Sequence, residues 1–195
     1  MNEKNIAFDF AIEEYRSLFE LLKIHFDSIK NLFRLYLTIL VIPFTVIALI
    51  NKTTMLELKW TNLGDFLIGI IVFICISGII IFRTCVEHRI KTIFYVRCIN
   101  KIRKFFIDMD DTKTLNNYLL LSTDAKIPPI FSMGRDYFWE ASLIVILNSA
   151  LLCVIIINLI SNWVWGIVAL TASIFLHFLW YWKTSENREL FFNNK

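Results

Sequence analysis

The chain has 195 residues, 57% of them hydrophobic, with 18 Phe and 6 Trp against 5 Gly and 3 Pro, and a formal net charge of +3. This balance is too apolar for an ordinary soluble domain of this size and points to the bilayer as solvent. Charged residues vanish over three windows, 35–51, 66–82 and the 42 residues 141–182.

The first element is a heptad seam. Phe8, Ile12, Tyr15, Phe19, Leu22, Phe26, Ile29 and Phe33 recur at alternating spacings of 4 and 3, the pattern of a helix with one apolar stripe. Such a stripe needs cover from another helix, from copies of itself, or from lipid headgroups. The remaining positions carry mixed charge (Glu13, Glu14, Arg16, Glu20, Lys23, Asp27, Lys30), whereas a lipid-lying helix is usually basic, so protein packing is expected. The seam continues in phase through Tyr36 and Leu40. This predicts one helix of about 40 residues, about 60 Å long at 1.5 Å per residue, that enters the membrane without a break. Pro43 lies inside the expected first span and removes one backbone hydrogen bond, making it either a tolerated membrane proline or a hinge.

A membrane-crossing helix needs about 20 apolar residues, so the 42-residue window holds two spans. Four spans are expected in all, at about 33–50, 65–83, 140–160 and 163–182, with Arg34, Asp65, Arg83 and Glu140 snorkelling at their ends. The link "SNW" makes the last two an antiparallel hairpin. Trp60, Trp163, Trp165, Trp180 and Trp182 fall where an aromatic belt belongs. Between spans two and three, "RTCVEHRIKTIFYVRCINKIRKFFID" leaves the membrane as a second helix. Its stripe Tyr95, Ile99, Ile102 and Phe106 is the natural cover for Phe19, Leu22 and Phe26, and the two should form a cytoplasmic bundle. After Asp108 the pattern breaks into capped turns, a short apolar run at Tyr118 to Leu121, and the extended Pro128-Pro129 segment.

The expected organisation is therefore a heptad helix (1–32) continuous with a first membrane hairpin (33–83), a basic helix and loop (84–139), a second hairpin (140–182) and a tail (183–195). This makes an all-α membrane protein of four transmembrane helices, with long cytoplasmic extensions of spans one and two. Of the 20 Lys and Arg, 18 fall before span one, between spans two and three, or in the tail, and two fall in the 51–65 link. The positive-inside rule then places both termini in the cytoplasm. No secretory signal is visible at the N-terminus. Cys75 and Cys153 lie in spans, and Cys85 and Cys98 in the cytoplasmic segment, where thiols stay reduced, so no disulfide framework is expected.

The basic face of the second cytoplasmic helix is the strongest polar feature. Arg83, Arg89 and Lys91, nearest the membrane, suit anionic headgroups. Arg97, Lys101, Arg103 and Lys104 lie about 20–30 Å from Arg83 along a helix, beyond a Debye length of about 8 Å. They are the candidate ligand-binding residues, for a phosphorylated ligand, a nucleic acid or an acidic protein. Within the spans, Thr45, Ser77, Asn148 and Asn158 are candidates for helix packing or a pore lining, because an unsatisfied amide there is costly. Cys85, His88 and Cys98 are too few and too far apart for a structural zinc site, so no metal is expected. The absence of a phosphate-cradling glycine loop, a nucleophile elbow or a His-Glu-x-x-His motif argues against an enzyme, and no cofactor is expected. Unlike, charge-free spans fit a secondary transporter poorly.

The long helix entering span one, the short external link and the basic helix leaving span two, with "YVRCINKIRKFF" followed by "YLLLSTDAKIPPIF", resemble the SLATT class of bacterial membrane effectors over about residues 10–130. A second hairpin follows where the simplest members of that class have two spans. The architecture is also similar to other four-span proteins of bacterial anti-phage defence, such as the membrane component of the Kiwa system, a sensor coupled to a cytoplasmic partner. The resemblance implies a multi-pass protein of the bacterial inner membrane, surrounded by lipid and forming a homo-oligomer, with a tetramer as first expectation. It would act as an ion-conducting or permeabilising channel gated from the cytoplasm by a partner protein, a nucleotide or a nucleic acid. The alternative is a non-conducting sensor or anchor that recruits a defence partner.

Overall fold

A computed structural model describes residues 3–52, 60–109, 123, 124, 126, 128, 129 and 138–193, with helical side chains described at 6–43, 45, 67–109 and 138–190. Four helices follow in order: α1 (Glu3–Lys52), α2 (Trp60–Met109), α3 (Phe138–Ile160) and α4 (Trp163–Asn193). The described residues contain no strand. α2, α3 and α4 are each long and apolar enough to cross a membrane. Several expectations lie wholly or partly outside the described residues: the middle of the 51–65 link, the apolar run Tyr118 to Leu121, the Trp60 side chain, and most side chains of the first span beyond Pro43.

α1 is one unbroken helix of 50 residues that passes through Pro43. α2 also has 50 residues, so the apolar run and the basic segment after Arg83 form one rod of about 75 Å. α4 does not stop at Trp182: the segment expected as a tail continues the helix to Asn193. α1 packs extensively along α2, α2 along α3, and α3 along α4, while α2 and α4 touch only briefly. The core runs along these contacts through Ile29, Tyr36, Ile74, Phe82, Val86, Ile144 and Tyr181.

The expected seam of α1 is rotated. Ala11, Leu18, Ile29 and Tyr36 are buried, while Phe8 and Phe19 remain 44% and 41% exposed. Positions 15, 22, 29 and 36 stay near the contact, 11 and 18 are buried more deeply than 12 and 19, and His25 and Phe26 are both half-buried. The opposite rod favours this flank, because it presents His88, which His25 can meet and a phenylalanine cannot.

Two glycines allow close helix approach. A Cβ on Gly78 of α2 would fall 2.4 Å from Asn148 Oδ1 of α3 and 3.0 Å from Tyr36 Cε2 of α1. One on Gly166 of α4 would fall 2.4 Å from Ile157 Cγ1 and 3.1 Å from Cys153 Sγ of α3. The tight α3–α4 turn closes on Ser161 in the left-handed region (φ 54°), whose N–H donates to Ile157 O at 2.8 Å. Asn162 then caps α4, accepting from Val164 N at 2.9 Å, an N-cap bond to the second helical residue.

Candidate functional site: a polar stripe on the second helix

Past its apolar run, α2 buries a row of polar residues, Arg89, Thr92, Arg97, Asn100 and Arg103. A buried charge or amide needs partners, and each of the other helices supplies some.

At the start of the row, His88 meets His25 of α1, with Nδ1 atoms 2.6 Å apart and ring centroids 4.9 Å apart. His25 also stacks on Tyr95 at 5.4 Å. A contact this short between two ring nitrogens needs one donor and one acceptor, which neutral imidazoles of complementary tautomer provide. Burial holds both histidines below the usual imidazole pKa. The Lys91 ammonium lowers both further, His25 also lowers His88, and Glu87 partly offsets the effect on His88.

Arg89 does not face lipid headgroups, as its place near the apolar run led one to expect. It is buried, with its guanidinium 5.9 Å from the Phe138 ring centre and 5.8 Å from that of Tyr181, a cation–π clamp between α3 and α4.

The four expected ligand cations separate into two kinds. Arg97 is buried, and its Nη2 donates to Glu189 Oε1 at 2.8 Å and Oε2 at 3.0 Å, while its Nε donates to Pro128 O at 3.0 Å. Arg103 is also buried. Its Nη1 donates to Asn100 Oδ1 at 3.1 Å, its Nη2 to the Tyr15 hydroxyl at 3.4 Å, and its guanidinium lies 5.9 Å from the Tyr15 ring centre. Asn100 Nδ2 in turn donates to Asp124 O at 3.0 Å. Both arginines therefore join elements and present no open face to a ligand. Lys101 and Lys104 are exposed. Glu189 of α4 and Pro128 hold Arg97, whereas neither lysine forms a hydrogen bond or salt bridge among the described residues.

The bundle residues are unequally covered: Ile99 is buried, Leu22, Phe26, Tyr95, Ile102 and Phe106 are half-buried, and Phe19 is exposed. Phe8 and Phe106 make an edge-on ring contact at 5.4 Å. Burial also pushes the Cys98 thiol above its usual range.

The span candidates divide similarly. Asn148 is buried and its Nδ2 donates to Cys75 O at 3.1 Å, which fastens α3 to α2. Asn158 is exposed and bonds its own helix at Val154 O, 2.8 Å. Thr45 does the same at Val41 O, 3.2 Å, and Ser77 is half-buried. The buried Ser149–Ser173 bond at 2.9 Å joins α3 to α4. Two buried atoms at the meeting point of α1, α2 and α3 have no hydrogen-bond partner among the described residues: the Tyr36 hydroxyl and Asn148 Oδ1.

Sequence reasoning missed His25, Asn100 and Glu189. His25 stands one heptad after Leu18, which marks its face in retrospect. Glu189 lay in a segment taken for a tail, where nothing local connects it to Arg97. All four cysteines are free thiols, and the described residues hold no group of three or more His, Cys, Asp or Glu able to bind a metal. Comparison with protein-family models, with curated proteins and with solved structures finds no match.

Proposed function

We propose that this protein is a non-enzymatic membrane sensor of bacterial anti-phage defence. In this reading it is a four-span inner-membrane oligomer whose cytoplasmic rods receive a partner and pass its binding to the bilayer. The carrying observation is the continuity of α1. The same helix holds Tyr15 against Arg103, His25 against His88, and Tyr36 close to Gly78 and Asn148. A shift of the N-terminal rod along α2 therefore reaches the membrane junction without a flexible joint.

The exposed surface supports the recruiting role. Ile6, Phe10, Leu21 and Ile24 are 51%, 71%, 39% and 58% exposed. All four lie well before the charge-free window that opens at 35 and form two small apolar patches, Ile6 with Phe10 and Leu21 with Ile24, separated on that face by the exposed Glu13 and Ser17; this surface calls for protein cover. A copy of the same chain and a cytoplasmic defence partner are its expected occupants, and the exposed Lys101 and Lys104 would steer an acidic partner. The resemblance to SLATT and related proteins supplies the defence setting, and the lysine and arginine distribution supplies the orientation.

A second reading, an ion-conducting oligomer, is favoured by one observation: the unpartnered Tyr36 hydroxyl and Asn148 Oδ1 belong to the two side chains that crowd Gly78. Separation of the helices there would let water reach both. Purified protein in planar bilayers, with its subunit number measured in nanodiscs, distinguishes the two. Electrical silence at every oligomer size supports the sensor. A conducting species whose conductance changes in Asn148→Leu replaces it with the channel.

A further inference from the structure

α2 and α4 meet at Phe82 and His177 and again at Arg97 and Glu189, and beside these contacts lies a groove in two parts that share lining residues. One part, about 320 Å³, is lined by Arg83, Glu87, Lys91, Phe94, Trp180 and Arg188, among others. The other, about 290 Å³, is lined by Ile79, Phe82, Arg83, Leu176, His177 and Trp180. Arg83 and Trp180 belong to both and mark the boundary between a charged and an apolar compartment.

That boundary coincides with a change in the sequence. Arg83 is the first charge after the window 66–82, and Trp180 lies two residues before the end of the window 141–182. On α2, Arg83, Glu87 and Lys91 are each four residues apart, as are Trp180, Thr184 and Arg188 on α4, so both rows run along facing helix surfaces. The charged compartment holds three cations and one carboxylate. Glu87 pairs with Arg83 at 3.4 Å. Lys91 and Arg188 are exposed and form no salt bridge among the described residues. In the apolar compartment His177 is tied to its own helix at Ser173 O, 2.7 Å, and stands edge-on to Phe82 at 5.2 Å. Its walls are therefore hydrocarbon and ring faces.

We infer that this groove is a binding site for one anionic phospholipid. Its phosphate sits between Lys91, Arg188 and Arg83, its glycerol lies beside Trp180, and an acyl chain runs down past Phe82, Ile79 and Leu176. Arginine and lysine recognise phosphate by charge-assisted hydrogen bonds. A cation cluster between helices at the headgroup level is the usual form of a specific lipid site, and indole rings favour that depth. A soluble phosphate would satisfy the cations but leave the apolar compartment without a partner, so the paired compartments select an amphiphile. Such a site requires only that α2 and α4 lie in a membrane, whether or not the protein conducts.

The test is native mass spectrometry of the full-length protein in detergent, titrated with phosphatidylglycerol, phosphatidylcholine or inorganic phosphate. The wild type should retain one phosphatidylglycerol per chain in preference to phosphatidylcholine, and millimolar phosphate should not displace it. Lys91→Gln with Arg188→Gln should weaken retention about 30-fold, the product of two headgroup contacts. The charge-keeping pair Lys91→Arg with Arg188→Lys should restore it, and Lys101→Gln with Lys104→Gln, outside the groove, should leave it unchanged. Equal retention of phosphatidylcholine, displacement by phosphate, or equal loss in the Lys101 and Lys104 control would each overturn the assignment.

Discussion

Arg97 and Glu189 stand 92 positions apart, and a single guanidinium nitrogen reaches both carboxylate oxygens at 2.8 and 3.0 Å. The contact ties the far end of the last helix to the last third of the second, and Pro128 O accepts from the same side chain. It turns a segment that reads as a solvated basic face into a structural joint.

Removing one partner of this joint should cost more than removing both. Glu189→Gln leaves a buried guanidinium with neutral acceptors only, the amide oxygen of the substituted side chain and Pro128 O, and a loss of about 1–3 kcal/mol is expected, since Glu189 keeps some access to water. The double substitution Arg97→Met with Glu189→Met should be less destabilising than either single change. Thermal unfolding in detergent, arranged as a double-mutant cycle, measures the coupling.

The His25–His88 contact should depend on pH. Both folded-state pKa values lie below the ordinary imidazole value, so the unfolded chain binds more protons than the folded one as pH falls through 6.5. Stability from this pair is present above that value and is lost toward the lowered pKa. Two imidazolium rings would then face each other beside Lys91. Amide protection factors of α1 between residues 6 and 33, with the base-catalysed intrinsic exchange rate divided out, should be higher at pH 7.5 than at pH 5.5, and His88→Gln should flatten the difference.

Gly78→Ala should loosen the meeting of α1, α2 and α3. The new Cβ would fall 2.4 Å from Asn148 Oδ1 and 2.7 Å from its Cγ, forcing the amide off the Cys75 carbonyl. Overpacking of this kind costs about 1–3 kcal/mol. Asn148→Ala alone removes a bond of about 0.6 kcal/mol, an average for membrane helices. The double variant Gly78→Ala with Asn148→Ala should therefore regain much of the loss in a detergent stability assay. Failure to regain it would place the strain at Tyr36 instead.

Ser161 is a site for stabilisation. Its positive φ suits glycine better than any residue with a Cβ, so Ser161→Gly should raise stability by up to about 1 kcal/mol and Ser161→Val should lower it. The same unfolding assay reads both, with opposite signs.

Much of the fold was legible because membrane insertion and helix amphipathicity leave local marks. The charge-free windows located the apolar stretches of α2, α3 and α4, and "SNW" marked their tight hairpin. The 4-and-3 spacing located the α1 rod, and the absence of a breaker at Arg83 foretold that α2 would run on. Local periodicity cannot tell which flank of a broad stripe packs, because Phe19 and Leu18 are equally apolar. That was decided by what α2 presents across the gap, where His25 finds another histidine.

The polar residues show the same division. Composition and spacing determined that this chain would be helical and rich in membrane-length segments, and that its cations would gather on the α2 extension. Only the tertiary structure decided that Arg97 and Arg103 are joints while Lys101 and Lys104 stay open, and that Asn148 fastens two helices. The reason is that desolvation depends on which distant element covers a side chain. Glu189, Pro128 and Tyr15 reach their arginines through chain folding alone, which no window of neighbouring residues records.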